Sequence, residues 1–314
     1  MDANVIGYLR HMDSRAKNIL LMHFVILIFG FTGILGKLIS IDSIPLVFWR
    51  TLIGGGAILI WLIARGKVSK KTTSDLLKMA GVGILVAIHW ITFFESIKVS
   101  NVSVALTMLA TSPMFIGFLE PLIFKRKLDW KELAVAAVVV VGVGTIFSFD
   151  TTYHEGMILG LISAFFASLF ATFNGVLVKT HDASNISLIE LLTASAVIFI
   201  LLGLTGEVDK GLFTLSNQDW FWILILAIVA TSFAFIAFTS IMKVLTPFTT
   251  SVAINLEPIY SMILAVIIFG EEEVMSPRFY LGALIIIGAI LLNTIFKRNS
   301  RGNNSVTKST IHTQ

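Results

Sequence analysis

The sequence has no cysteine, which excludes disulfides, thiolate metal sites and cysteine nucleophiles in one step. Charge is scarce as well: Asp, Glu, Lys and Arg make up 13% of the 314 residues, about half of the ~25% usual in a soluble domain. With 56% hydrophobic residues, so little charge argues against a soluble globular fold and makes lipid the solvent. Alternation of apolar and polar residues is missing too. Stretches such as 58–64 and 135–141 are apolar on every face, which favours helices over a transmembrane β-barrel. No phosphate-binding loop and no His-Glu-x-x-His or His-x-x-Glu-His run occurs, so neither ATP hydrolysis nor zinc hydrolysis has a foothold.

What is present is long hydrophobic runs. A bilayer core of ~30 Å takes about 20 apolar residues per helix. Runs bounded by charges and turn residues fall at 18–39, 44–65, 76–97, 101–124, 131–149, 155–178, 186–205, 219–242, 247–269 and 277–296. The expected fold class is all-α integral membrane, with ten transmembrane helices. The first run begins near Asn18 after a polar stretch and lacks a small-residue cleavage site, so it is expected to be retained as a span. Residues 1–17 then form an N-terminal segment, and the Asn-, Ser- and Thr-rich stretch 297–314 a disordered tail.

The net charge of +4 sits in short clusters between hydrophobic runs, which points to orientation in a membrane and not to nucleic acid. With both termini cytoplasmic, eighteen of the 23 Lys and Arg residues fall on the cytoplasmic side. The opposite side keeps Lys37, Arg50, Lys98, Lys210 and Arg278. That bias predicts a plasma (inner) membrane protein with both ends inside. Five of the six tryptophans lie near span ends, and Trp90 alone lies inside a span.

An internal repeat divides the chain. Adding 145 lays Phe93–Phe124 on Phe238–Phe269, pairing Lys98 with Lys243, Pro113 with Pro258 and Trp90 with Phe235. An offset of 142 pairs Gly33 and Lys37 with Gly175 and Lys179, and 146 pairs Gly142 with Gly288. The halves are 18–149 and 155–296. Five spans is an odd number, so the second half is expected to enter the membrane inverted, an architecture that secondary transporters use to exchange inward-open and outward-open states.

The run Ser251-Val-Ala-Ile-Asn-Leu-Glu-Pro258, the apolar stretch to Phe269-Gly-Glu271, then Gly282 and Gly288, resembles the second repeat of EamA-like members of the drug/metabolite transporter superfamily. The first half is similar at Phe48-Trp-Arg50, Asn101 to Pro113 and Gly142-Val-Gly144. One departure is plain: where the second half has Gly270-Glu271, the first has Lys125-Arg126. The resemblance implies a secondary transporter, not an enzyme. It would move a small organic solute, an amino acid or related metabolite, with export among its directions, and need no cofactor. An intramembrane enzyme or a receptor is the alternative.

Ionisable residues inside spans are expensive and therefore informative. Glu257 sits mid-span before Pro258, whose missing donor would free carbonyls to line a cavity. It is a candidate both for solute binding and for proton coupling. His89, midway along the third span, is the second candidate for proton coupling. Glu95, Glu120 and Glu190 lie near span ends and are expected to reach water, and Glu271-Glu-Glu273 reads as a solvated turn. Polar stripes supply further candidates: Thr107 and Thr111 one helical turn apart on the fourth span, Asn174 on the sixth and Asn255 on the ninth. Trp90, Phe94 and Phe235 are the aromatic candidates, with Trp90 and Phe235 expected to face one another through the repeat. The partners implied are the solute and membrane lipid, with no metal.

Overall fold

The computed structural model describes residues 3–149, 152–208, 210–245, 254 and 256–289. Among these residues there are helices and connections and no strand. They are α1 (Ala3–Leu38), α2 (Ser43–Ala64), α3 (Thr73–Val99), α4 (Val102–Leu109), α5 (Ser112–Ile123), α6 (Trp130–Phe149), α7 (His154–Leu177) and α8 (Ala183–Thr205). After a short α9 (Lys210–Phe213) come α10 (Asn217–Ala227), a π-helical turn (Ile228–Phe233), α11 (Ala234–Ile241) and α12 (Glu257–Phe269). A 3₁₀ turn (Gly270–Glu273) leads to α13 (Pro277–Ala289). Among the described residues, seven stretches are long and apolar enough to cross a membrane, in α1, α2, α3, α4 with α5, α7, α8, and α10 through α11. The helices α12 and α13 and the apolar part of α6 are shorter.

The outer surface is what lipid requires. Ile60, Leu122, Leu204 and Ile267 are each more than 70% exposed, and in a bilayer such side chains meet acyl chains instead of water. Polarity is turned inward. Arg50, His89, Asn174, Glu190, Glu257 and Glu273 are all buried.

Local chemistry explains the helix ends. Thr72, Asn101, Asp182 and Ser216 each accept a hydrogen bond from a first-turn backbone N–H of the helix that follows, satisfying donors the helix leaves orphaned. Gly206 ends α8 in the left-handed region at φ +79, where a Cβ would be strained. The centre is a layer of α3 against α7 and α8, with α2 against α8. Backbones come close there: a Cβ on Gly83 of α3 would lie 2.6 Å from the Glu190 carbonyl oxygen.

Two spans are interrupted. The fourth, read from sequence as one helix over 101–124, breaks at Ala110–Thr111 before Pro113, which occupies the first turn of α5. Its repeat partner Pro258 likewise occupies the first turn of α12. The eighth is interrupted by the π turn, where the Thr231 and Ser232 hydroxyls donate five residues back to the carbonyls of Leu226 and Ala227, at 2.8 and 2.9 Å.

One end of the bundle is tied by polar contacts. Lys37 of α1 donates to Glu273 at 2.9 Å and pairs with Glu272 at 3.1 Å. The Glu273 carboxylate also accepts from the backbone N–H groups of Val102 and Ser103 at 3.2 and 3.0 Å, and from the Ser103 hydroxyl at 2.9 Å. It thus caps the start of α4 with negative charge. The expected solvated turn is corrected here, since Glu273 is wholly buried because the chain folds it back onto donors 170 residues away. Close by, Ser40 donates to Asp219 through its N–H and hydroxyl, at 2.7 and 2.8 Å, and Ser43 donates to Glu95. The other end carries the basic clusters. Asn185 accepts from the Ser69 N–H and donates to the Lys67 carbonyl, and Lys243 lies 4.0 Å from Asp182. The tail 297–314 and the end of the tenth expected span lie outside the described residues.

Candidate functional site

Among the helices is a partly open cavity lined by residues from α1, α2, α3, α5, α7, α11 and α12. Six Phe and Trp rings line it. The α3 residues Trp90 and Phe93 meet Phe235 and Phe238 of α11, with Phe170 from α7 and Phe29 from α1. Trp90 and Phe235 have ring centroids 5.7 Å apart, Phe170 and Phe235 6.0 Å, and Phe29 and Phe238 5.8 Å. The repeat offset of 145 therefore brought together two residues that the fold also brings together.

The polar groups on this wall are few. His89, Arg50 and Glu257 carry the ionisable ones, and Thr32 and Ser112 add hydroxyls. His89 Nδ1 lies 3.0 Å from the Ser163 carbonyl oxygen and 2.8 Å from its hydroxyl, which itself donates to the His89 carbonyl at 3.0 Å. The histidine is fixed from that side by α7. Glu257 begins α12 and is 5% exposed, and among the described residues its carboxylate has no ion-pair partner within 4.0 Å.

Arg50 is the residue that sequence reasoning missed. Counted among the few basic residues of the non-cytoplasmic side, it is 1% exposed and lines the cavity. Its guanidinium lies over Trp90, 3.9 Å from the ring centroid, and 5.3 Å from that of Phe94, a cation–π arrangement in a desolvated place. Nε donates to the Thr231 hydroxyl at 2.6 Å and Nη2 reaches the Ala230 carbonyl at 3.5 Å. Nη1 has no hydrogen-bond partner among the described residues. The π turn supplies both acceptors, because it is the turn that carries Ala230 and Thr231. The signal was legible, since Arg50 falls six residues inside the run 44–65.

The other expected site residues are distributed differently. Trp90, Phe235, Glu257 and His89 line the cavity, and Phe94 packs behind Arg50. Thr107 and Thr111 do not line it: the Thr107 hydroxyl faces the Met262 sulfur at 3.7 Å, and the Thr111 hydroxyl bonds back to the Met108 carbonyl at 2.6 Å where α4 ends. Asn174 also lies elsewhere, donating to Glu190 at 3.2 Å. Glu190 does not reach water, as its place near a span end had led one to expect. It is wholly buried, one of its oxygens lacks a partner among the described residues, and Gly83 of α3 packs over its backbone. Asn255 lies outside the described residues. No cluster of three or more His, Asp or Glu that could hold a metal occurs among the described residues.

Comparison with known proteins bears on the whole length. The model of the EamA-like transporter family matches the chain twice, over residues 16–148 and 154–295. A protein of Bacillus subtilis (strain 168) named Uncharacterized transporter YxxF is 24% identical over 304 residues, covering 93% of this chain and 94% of its own. An uncharacterized transporter of Archaeoglobus fulgidus is 28% identical over 208 residues, covering 64% of this chain and 69% of its own. A protein crystal structure shares the fold with a TM-score of 0.66 and 17% identity, over 90% of this chain and 99% of that one.

Proposed function

The chain belongs to the EamA-like transporter family, and from that premise we propose that it is a secondary carrier of a small organic solute, working by alternating access in the plasma membrane. The site is the central cavity, and the solute has an apolar or aromatic part that sits between Trp90 and Phe235. An aromatic wall contacts such a body, while a few polar groups fix its orientation. The observation that carries the reading is the cavity itself, walled by residues from both halves of the chain.

The two halves are inverted five-helix repeats in this reading. Its support is the sequence offset, the separate family match to each half, and the equivalent helix starts at Pro113 and Pro258. Rocking one half against the other would expose the cavity alternately at the two ends. The end with the basic clusters faces the cytoplasm. Glu257 and His89 are the groups that could exchange a proton with the transport cycle.

The test has two steps. Metabolites in medium and cells are profiled with and without expression, and the solute that changes is then used in proteoliposomes with wild type and Trp90→Ala. The variant is expected to raise the apparent Michaelis constant far more than it lowers the folded protein in the membrane. An unchanged constant with less protein would return Trp90 to packing, and a wild type that moves no solute would remove the carrier reading.

A further inference from the structure

We propose that Arg50 is the binding group for a carboxylate on the transported solute, so that the solute is a carboxylic acid with an apolar or aromatic body. The inference rests on the carrier reading for the word transported, but the binding chemistry stands on its own observations. A guanidinium keeps its proton at ordinary pH and presents five N–H donors. Arg50 uses one of them well, on the Thr231 hydroxyl, and a second at 3.5 Å on the Ala230 carbonyl. Nη1 is buried with no partner among the described residues, none of whose carboxylates lies within 4.0 Å of the group.

A charge held inside a membrane bundle is ordinarily paired. Here no carboxylate of the described residues touches the guanidinium, which forms part of the cavity wall with Glu257 elsewhere on that wall. The Trp90 ring covers one face of the guanidinium, which leaves its N–H edge for hydrogen bonding. Nη1, without a partner among the described residues, and the weakly engaged Nη2 make a fork whose spacing fits the two oxygens of one carboxylate. A solute gripped there has its remaining atoms among Trp90, Phe170, Phe235 and Phe238, where apolar and aromatic groups are favoured. Glu257 shares the cavity and is near enough for its charge to act on Arg50. It supplies the counter-charge at longer range, and a carboxylate gripped by the fork takes over that role.

The experiment measures binding by the purified full-length protein in detergent, by titration calorimetry and by the shift in melting temperature. Three probes share one ring and differ in the head group: phenylacetate, phenylacetamide and phenylethylammonium. Phenylacetate is expected to bind about tenfold or more tighter than the amide, and the ammonium weakest. Arg50→Gln is expected to erase that preference. Arg50→Lys should keep part of it, having the charge but not the fork. Glu257→Gln should bind phenylacetate at least as tightly as wild type, because the like charge is gone. If Arg50→Gln does not fold, the wild-type ranking decides alone. Equal binding of acid and amide, a preference for the ammonium, or a preference that survives in Arg50→Gln would each overturn the proposal. The carrier reading fails separately: a protein that prefers the acid but shows no counterflow in proteoliposomes binds carboxylates without carrying them.

Discussion

Replacing Glu273 by Gln is predicted to open the tied end of the bundle. The wild-type carboxylate joins three parts of the fold: Lys37 on α1, the first turn of α4, and the turn that carries Glu273 itself. Breaking a buried ion pair by removing one member typically costs ~3–5 kcal/mol. That figure is too large here, because Lys37 has a 22% exposed side chain and keeps Glu272 at 3.1 Å. The loss is closer to that of a charged hydrogen bond, ~1.5–3 kcal/mol, with ~0.3–1 kcal/mol more from the helix terminus. A net 2–3 kcal/mol, if spent only on the conformation closed at this end, raises the open fraction about 30- to 150-fold. The absence of cysteine makes the assay clean. Ser112→Cys puts one thiol on the cavity wall, and an impermeant maleimide is applied from the side of the tied end. The double variant with Glu273→Gln should label much faster than Ser112→Cys alone. Unchanged labelling together with a lowered melting temperature would refute a gating role and leave the contacts as static support.

Other outcomes follow from the same geometry. Reporter fusions at Lys70, Lys127 and the C-terminus should all read as cytoplasmic, and an external signal at any of them would break the orientation drawn from the basic clusters. Glu257→Gln is predicted to abolish or alter the pH dependence of transport while inserting normally. Arg50 and His89 are the charged and titratable groups that share its cavity, and a wild-type pH profile in the variant would make Glu257 structural. Gly83→Ala should cost ~1–3 kcal/mol, since its new Cβ meets backbone at Glu190. A melting temperature equal to wild type would show that α3 and α8 can part there freely.

Sequence reasoning reached far where a pattern repeats and fell short where a contact is long-range. Hydrophobic run lengths located the seven long apolar helices of the described residues, and the repeat offset paired Trp90 with Phe235, whose rings the fold brings 5.7 Å apart. Glu273 could not be read in the same way. Three consecutive glutamates look solvated in one dimension, and only the return of the turn onto α4 gives the last of them its donors. Glu190 was misjudged for a related reason: distance to a span end does not say whether a neighbouring helix, here through Gly83, comes close enough to shut out water. The breaks behave in mixed fashion. Pro113 and Pro258 announce theirs, whereas nothing in the composition of Ile228–Phe233 marks a π turn, which answers to Arg50 and Gly54 across the interface.

That turn also sets the counting frame of everything beyond it. A π turn takes up about one residue more than an α turn, so α11 is rotated by roughly 100° about its axis relative to an uninterrupted helix. Phe235 and Phe238 face the cavity only in the shifted phase. Deleting a single residue between 228 and 233 would swing both rings away and carry Ala230 and Thr231 off Arg50 together, an effect no single substitution reproduces. Among related chains, the length of this segment is then as informative about the site as the identity of any residue in it.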